Sequence, residues 1–352
     1  MGHAIAFDAS GQAAAAYAPE DGIGWHQLGR PIPDEYRHDP DKMAEIAGVD
    51  YTVEKRECYY RLDDGTYVPA PGKDVVVRSD TQEFFSVVSD TKYNVIGRHG
   101  RDLIAAFEED LRANRVSISH ICALNNGADI VVSAKLPIQK TVGAKHLNDS
   151  IQYYITLMTG FAGHSTQAMK TEVRALCANT RAQALNRAKE NGTLRNIRAS
   201  TRIQAGDLRD LIESAQQEIE TDAVIYDALA NASMSPDQVM RYFADVLEIN
   251  VEDLGRTDKQ GKKLISTKSE NIIKALSAAY IRAPGAQEAH GSAWGMLNAV
   301  TYYATHEKTV RDTTGSGEEA TRIASNLFGD AATMKRRAYE LAQQYAGIKV
   351  AA

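Results

Sequence analysis

Between Ile151 and Leu157 the chain sets Ile151, Tyr153, Ile155 and Leu157 against Gln152, Tyr154 and Thr156 in strict alternation. A period of two buries one face of a β-strand and wets the other, because successive side chains leave a strand on opposite sides. A helix would scatter the same residues around its circumference. Gly160 and Gly163 then offer a turn, and a second β-favouring run covers Thr171 to Leu176. After it, Leu176, Thr180, Ala184, Leu185 and Ala188 recur at intervals of three and four, which predicts a helix. One compact block therefore demands strand, turn, strand and helix together.

Upstream, Tyr51–Leu62, Tyr67–Pro69, Asp74–Arg78 and Phe84–Ser89 are short runs rich in Val, Tyr and Phe. Asp64-Gly65, Pro71-Gly72 and Ser79-Asp80 punctuate them, so antiparallel hairpins are expected. Leu103, Ile104, Phe107 and Leu111 predict a helix from about Arg101 to Asn114. Asn125-Asn126-Gly127 predicts a tight hairpin between Val116–Leu124 and Ala128–Leu136. Residues 1–40 read as irregular, with a short helix at Asp41–Ala47.

Past Gln204 the pattern becomes helical. Asp207 can cap a helix with Leu208, Leu211, Ile212, Ala215 and Ile219 as its stripe, and Ser235-Pro236 opens another that buries Val239, Tyr242, Phe243 and Val246. Further helices are expected at Ser269–Tyr280, Ser292–His306, Gly317–Phe328 and Ala331–Tyr345, with a mobile loop at Thr257–Lys268. The fold class predicted is α+β: a curved, mostly antiparallel sheet with packed helices, followed by a helical C-terminal half. Its parts are an arm (1–50), an α+β core (51–205) and a helical region (206–352).

Composition narrows the function. The chain has 352 residues and a net charge of −6, yet residues 161–204 carry eight bases and two acids, leaving −12 elsewhere. Coating of nucleic acid by global charge is thus disfavoured, while a local basic groove is not, since screening confines charge effects to about 10 Å. No apolar run approaches the roughly 20 residues that span a bilayer, so a cytoplasmic protein is expected. Cys58, Cys122 and Cys177 are odd in number and far apart, as in reduced thiols. Phosphate-binding glycine loops and spaced zinc ligands are missing from the sequence, and no cofactor or metal is expected.

The basic constellation is Lys170, Arg174, Arg181, Arg187, Lys189, Arg195, Arg198 and Arg202. Arginines can grip successive phosphates through paired hydrogen bonds, and Tyr153 and Phe161 nearby are candidates for stacking bases. The competing reading is a solvated face that answers the acidic helices Glu213–Glu220 and Glu248–Asp253.

Three separated motifs carry a resemblance. They are Gly22-x-x-Trp25-His-x-Leu-Gly29; Val173-Arg-x-Leu-Cys177-x-Asn179-Thr180; and Gly291-Ser-Ala-Trp294-Gly-x-Leu-Asn298-Ala-Val300 with Tyr303 and His306. In these the chain resembles the phage- and plasmid-related family called domain of unknown function 932. It departs at Thr159-Gly-Phe-Ala-Gly163-His164-Ser165, where similar proteins tend to carry a Ser-His-Asp-Gly-Ser-like turn. The resemblance implies a mobile-element protein of the bacterial host's cytoplasm. By analogy of architecture, the expected function is sequence-neutral binding of single-stranded DNA, as in phage annealing proteins of recombination, by a non-enzymatic homo-oligomer. The alternative is a protein-protein interaction or anti-defence regulator.

Overall fold

The computed structural model describes residues 5–22, 28–91, 95, 99–144, 147–161, 166–174, 195–197, 208–283, 286–310, 325 and 330–348. Its centre is a seven-stranded sheet made of β1 (Ala15–Tyr17), β2 (Arg30–Pro31), β6 (Ser117–Leu124), β7 (Asp129–Ala144), β8 (Leu147–Gly160), β9 (Thr166–Arg174) and β10 (Arg195–Ile197). The spatial order is β10-β9-β8-β7-β6-β1-β2, antiparallel except for the β1–β2 pair. A separate three-stranded sheet orders β3 (Val53–Arg61), β4 (Tyr67–Arg78) and β5 (Phe84–Ser89) as a meander. The α+β class read from the sequence holds.

The hairpin at 125–127 forms as its chemistry requires. Asn125, Asn126 and Gly127 take φ of 52°, 57° and 96°, values that Asn and Gly tolerate best. The N-terminal residues differ from expectation. Rather than an irregular arm, Ala15–Tyr17 is a strand, with Ala16 opposite Ile121 on one side and Arg30 on the other. Gly29 fits because a Cβ there would lie 3.1 Å from the Ala15 carbonyl oxygen.

Two further elements were drawn differently in the sequence. The expected break at Pro71-Gly72 lies inside β4, where the ladder jumps from Glu57↔Asp74 to Tyr59↔Pro69 and the extra residues bulge. The expected helix at 101–114 is two short ones, α2 (Gly100–Ala105) and α3 (Glu108–Arg112). Leu103, Ile104, Phe107 and Leu111 are nonetheless all buried. Before them, α1 (Pro40–Ala47) is capped by the Asp39 carboxylate, which accepts from the amides of Asp41 and Lys42.

The helical half comprises α4 (Arg209–Asn231), α5 (Pro236–Val246), α6 (Thr267–Arg282), α7 (Ala286–Ala289), α8 (Ala293–Tyr302) and α9 (Asp330–Tyr345). Asp207, Leu176–Ala188 and most of Gly317–Phe328 lie outside the described residues. Thr257–Lys268, expected to be a mobile loop, is hydrogen-bonded. The Asp258 carboxylate accepts from the amides of Gln260 and Lys262, the Leu264 amide donates to Arg256, and Ile265 is buried.

A single apolar core joins sheet and helices. Ile151, Ile155 and Leu157 of β8 and Ile130, Val132 and Ala134 of β7 share one cluster with Ile212, Ala215 and Ile219 of α4. The cluster continues through Trp294, Leu297 and Val300 of α8 to Ala338 and Ala342 of α9. Among the described residues, the opposite face of the sheet carries a small apolar group, Ile5, Ala15, Leu124 and Val131, and beside it Ser133 and Thr156 share a hydrogen bond of 3.1 Å.

Candidate nucleic-acid interface

Strands β9 and β10 close one end of the large sheet, and the backbone register fixes where their basic positions fall. Lys170 lies opposite Ile155, Arg174 opposite Ile151, and Arg195 opposite Ala168. Directly opposed residues share a face, so these three positions sit on the same side of the sheet, the side on which α4 packs against β7, β8 and β9. Arg195 is a diagonal neighbour of Lys170, a separation of about 7–8 Å in such ladders. Arg174 follows Lys170 by two same-face steps, or roughly 13 Å at about 3.3 Å per residue. Arg181, Arg187, Lys189, Arg198 and Arg202 lie outside the described residues.

The two proposed stacking residues are not available. Tyr153 is 0% exposed and stands between Ile151 and Ile155 on the inward face of β8. Phe161 is also 0% exposed; its ring stacks on Phe85 at 6.0 Å and lies 6.0 Å from the ring of His99. Both therefore belong to the core, because an aromatic ring without solvent access cannot receive a base. Exposed rings exist elsewhere, on the three-stranded sheet. Tyr59, Tyr60, Tyr67 and Phe84 are 50%, 51%, 67% and 57% exposed. The sequence marked those runs as strands without showing which ends project beyond the core.

Of the motif residues, Trp25, Gly163, His164, Cys177 and Asn179 lie outside the described residues. Trp294 is buried in α8, as its helical spacing implied, with its ring 5.0 Å from Tyr226 of α4. Tyr226 also meets Tyr339 of α9 edge-on at 6.4 Å. Asn298 comes one turn after Trp294, and its buried amide nitrogen has no hydrogen-bond partner among the described residues. His306 lies in the π-type turn Tyr303–Glu307 that prolongs α8, its ring 4.9 Å from Tyr302. Trp294 thus belongs to the core that α8 shares with α4 and the large sheet.

One functional-looking cluster escaped sequence reading. Arg78, at the end of β4, is buried and makes a two-pronged pair with Asp80 at 2.7 and 2.9 Å. It also donates to the carbonyls of Phe7 and Asn126, both at 3.1 Å, and lies 3.9 Å above the Tyr51 ring. Tyr51 in turn donates to the Gly127 carbonyl at 2.6 Å, and burial pushes its hydroxyl well above the usual tyrosine range. Each guanidinium nitrogen has a structural partner, so this is a clasp and not a site. Among the described residues no group of three or more His, Cys, Asp or Glu could hold a metal ion.

These features define an α+β protein with an antiparallel sheet, a basic terminal strand pair and a helical second half whose described helices are too short or too polar to cross a membrane. The chain belongs to the family described as "Domain of unknown function (DUF932)", whose model matches residues 85–327. No curated protein and no solved structure matches it.

Proposed function

We propose that the chain binds single-stranded DNA without sequence preference, through phosphates laid along the β9–β10 end of the large sheet. On this reading it serves a phage or plasmid element in strand annealing, as a non-enzymatic protein of the bacterial cytoplasm. The observation that carries the reading is the register of Lys170, Arg174 and Arg195 on one face of the terminal strands, inside a stretch with a +6 excess in an acidic chain. Cations so placed neutralise successive phosphates and release condensed counterions, and that release drives sequence-neutral binding. With Tyr153 and Phe161 buried, affinity rests on backbone contacts, which leaves base edges open to pair with a second strand.

The test is retention of labelled single-stranded DNA by the full chain over a range of salt. Binding should weaken linearly in log–log form, and each of Arg174→Glu and Arg195→Glu should lower the slope by about 0.7 or more. Retention that is absent at physiological salt, or indifferent to both reversals, would remove this reading. The second reading, a protein-interaction module, is favoured by the exposed rings of the three-stranded sheet, where residues 53–78 carry five bases and five acids.

A further inference from the structure

The β3–β4 hairpin projects beyond the core. From Tyr59 to Leu62 every residue is exposed, so both faces of this stretch meet solvent, and Tyr67 across the ladder is exposed as well. Strand β3 is also an end strand of its sheet. An open edge with exposed aromatic rings is what proteins ordinarily blunt or cover, because it templates pairing with another strand.

The direction of the free backbone groups can be worked out. The Leu62 amide donates to Thr66, and the Leu62 carbonyl accepts from Gly65, so both groups of Leu62 turn toward β4. Alternation along the strand then turns the amides and carbonyls of Arg61 and Tyr59 outward. Pro69 agrees: it lies opposite Tyr59, and a residue without an amide is tolerated there only where no ladder bond is needed from it. No backbone hydrogen bond outside the β3–β4 ladder involves Glu54–Arg61 among the described residues.

We infer that β3 pairs antiparallel with β3 of a second copy of this chain, about a two-fold axis at Tyr59, so that two three-stranded sheets become one of six strands. Charge selects both the occupant and the register. Residues 53–78 hold five bases and five acids, a balance that suits another copy better than a polyanion. An axis at Glu57 or at Arg61 would oppose like charges, and like charges directly opposite are destabilising. An axis at Cys58 sets Lys55 against Arg61, and one at Tyr60 overlaps only Tyr59–Arg61 of each strand. With the axis at Tyr59, Glu57 meets Arg61 of the second copy and Arg61 meets its Glu57, while the two Tyr59 rings adjoin. The interface lies before residue 85, ahead of the part matched by the family model, and is independent of the nucleic-acid reading.

Mass photometry and sedimentation of the full chain without DNA test it. The wild type should form an assembly of paired copies. Tyr59→Pro deletes an outward amide and spares the ladder to β4; it should halve the assembled mass. Glu57→Arg and Arg61→Glu should each do the same alone, and an equimolar mixture of the two should regain the parent mass, since the mixed pair again opposes unlike charges. A monomeric wild type, a mass unchanged in all three variants, or folded charge variants that fail to associate when mixed would overturn the proposal.

Discussion

Arg78 is the residue on which the two sheets and the N-terminal segment depend together, since its guanidinium meets Asp80, Phe7, Asn126 and the Tyr51 ring at once. Arg78→Met should lower stability by about 3 kcal/mol, because the Asp80 carboxylate and two carbonyls lose their donor in a confined place. Urea denaturation of the two proteins measures it, and a difference under about 1 kcal/mol would contradict the clasp. Nothing local in the sequence marked Arg78, whose partners lie up to 71 residues away. Tyr153 was legible, because the alternation that predicts β8 also assigns it to the buried side with Ile151 and Ile155. Phe161 was not: it follows Gly160, where the alternation ends, and its burial comes from Phe85 and His99. The basic positions were legible only as a charge excess, since their common face depends on how β9 and β10 register.

Among elements, those with local chemistry were read best. Ser235 caps α5 reciprocally, its hydroxyl accepting from the Gln238 amide while the Gln238 side chain accepts from the Ser235 amide. Ser235→Ala should cost about 1 kcal/mol, read as a shift in the urea midpoint at unchanged slope. The Asn125-Asn126-Gly127 turn was equally clear, because its dihedral demands are met by its own residues. The pause at Phe107 that divides α2 from α3 was invisible, as the same apolar stripe serves one helix or two. β4 runs through Pro71-Gly72 because the bulge facing Cys58 absorbs residues that cannot join the ladder. Strand β1 was missed for a different reason: alanine-rich segments carry little strand preference, and its hydrogen bonds come from β6 and β2.

For the molecule as a whole, the expected boundary near residue 205 divides the chain by pattern, yet the apolar core crosses it. Ile212, Ala215 and Ile219 of α4 belong to one cluster with Ile151, Ile155 and Leu157 of β8. A fragment ending at residue 205 would leave that face of the sheet in water, and it should be insoluble or bind a hydrophobic dye where the full chain does not. Soluble, dye-silent material with native β-sheet circular dichroism would show that the core is divisible. Fold class was legible because binary patterning specifies layers; the sharing of one core was not, since it depends on which faces meet.

The placement of β1 also governs the order of assembly during synthesis. Its antiparallel partner emerges only when Cys122 follows Ala15 out of the ribosome, an interval of roughly 5–20 s at 5–20 residues per second. Throughout that time Ala15–Tyr17 has no native neighbour on that side and waits as an unmated ribbon, the kind of bare edge that invites aggregation.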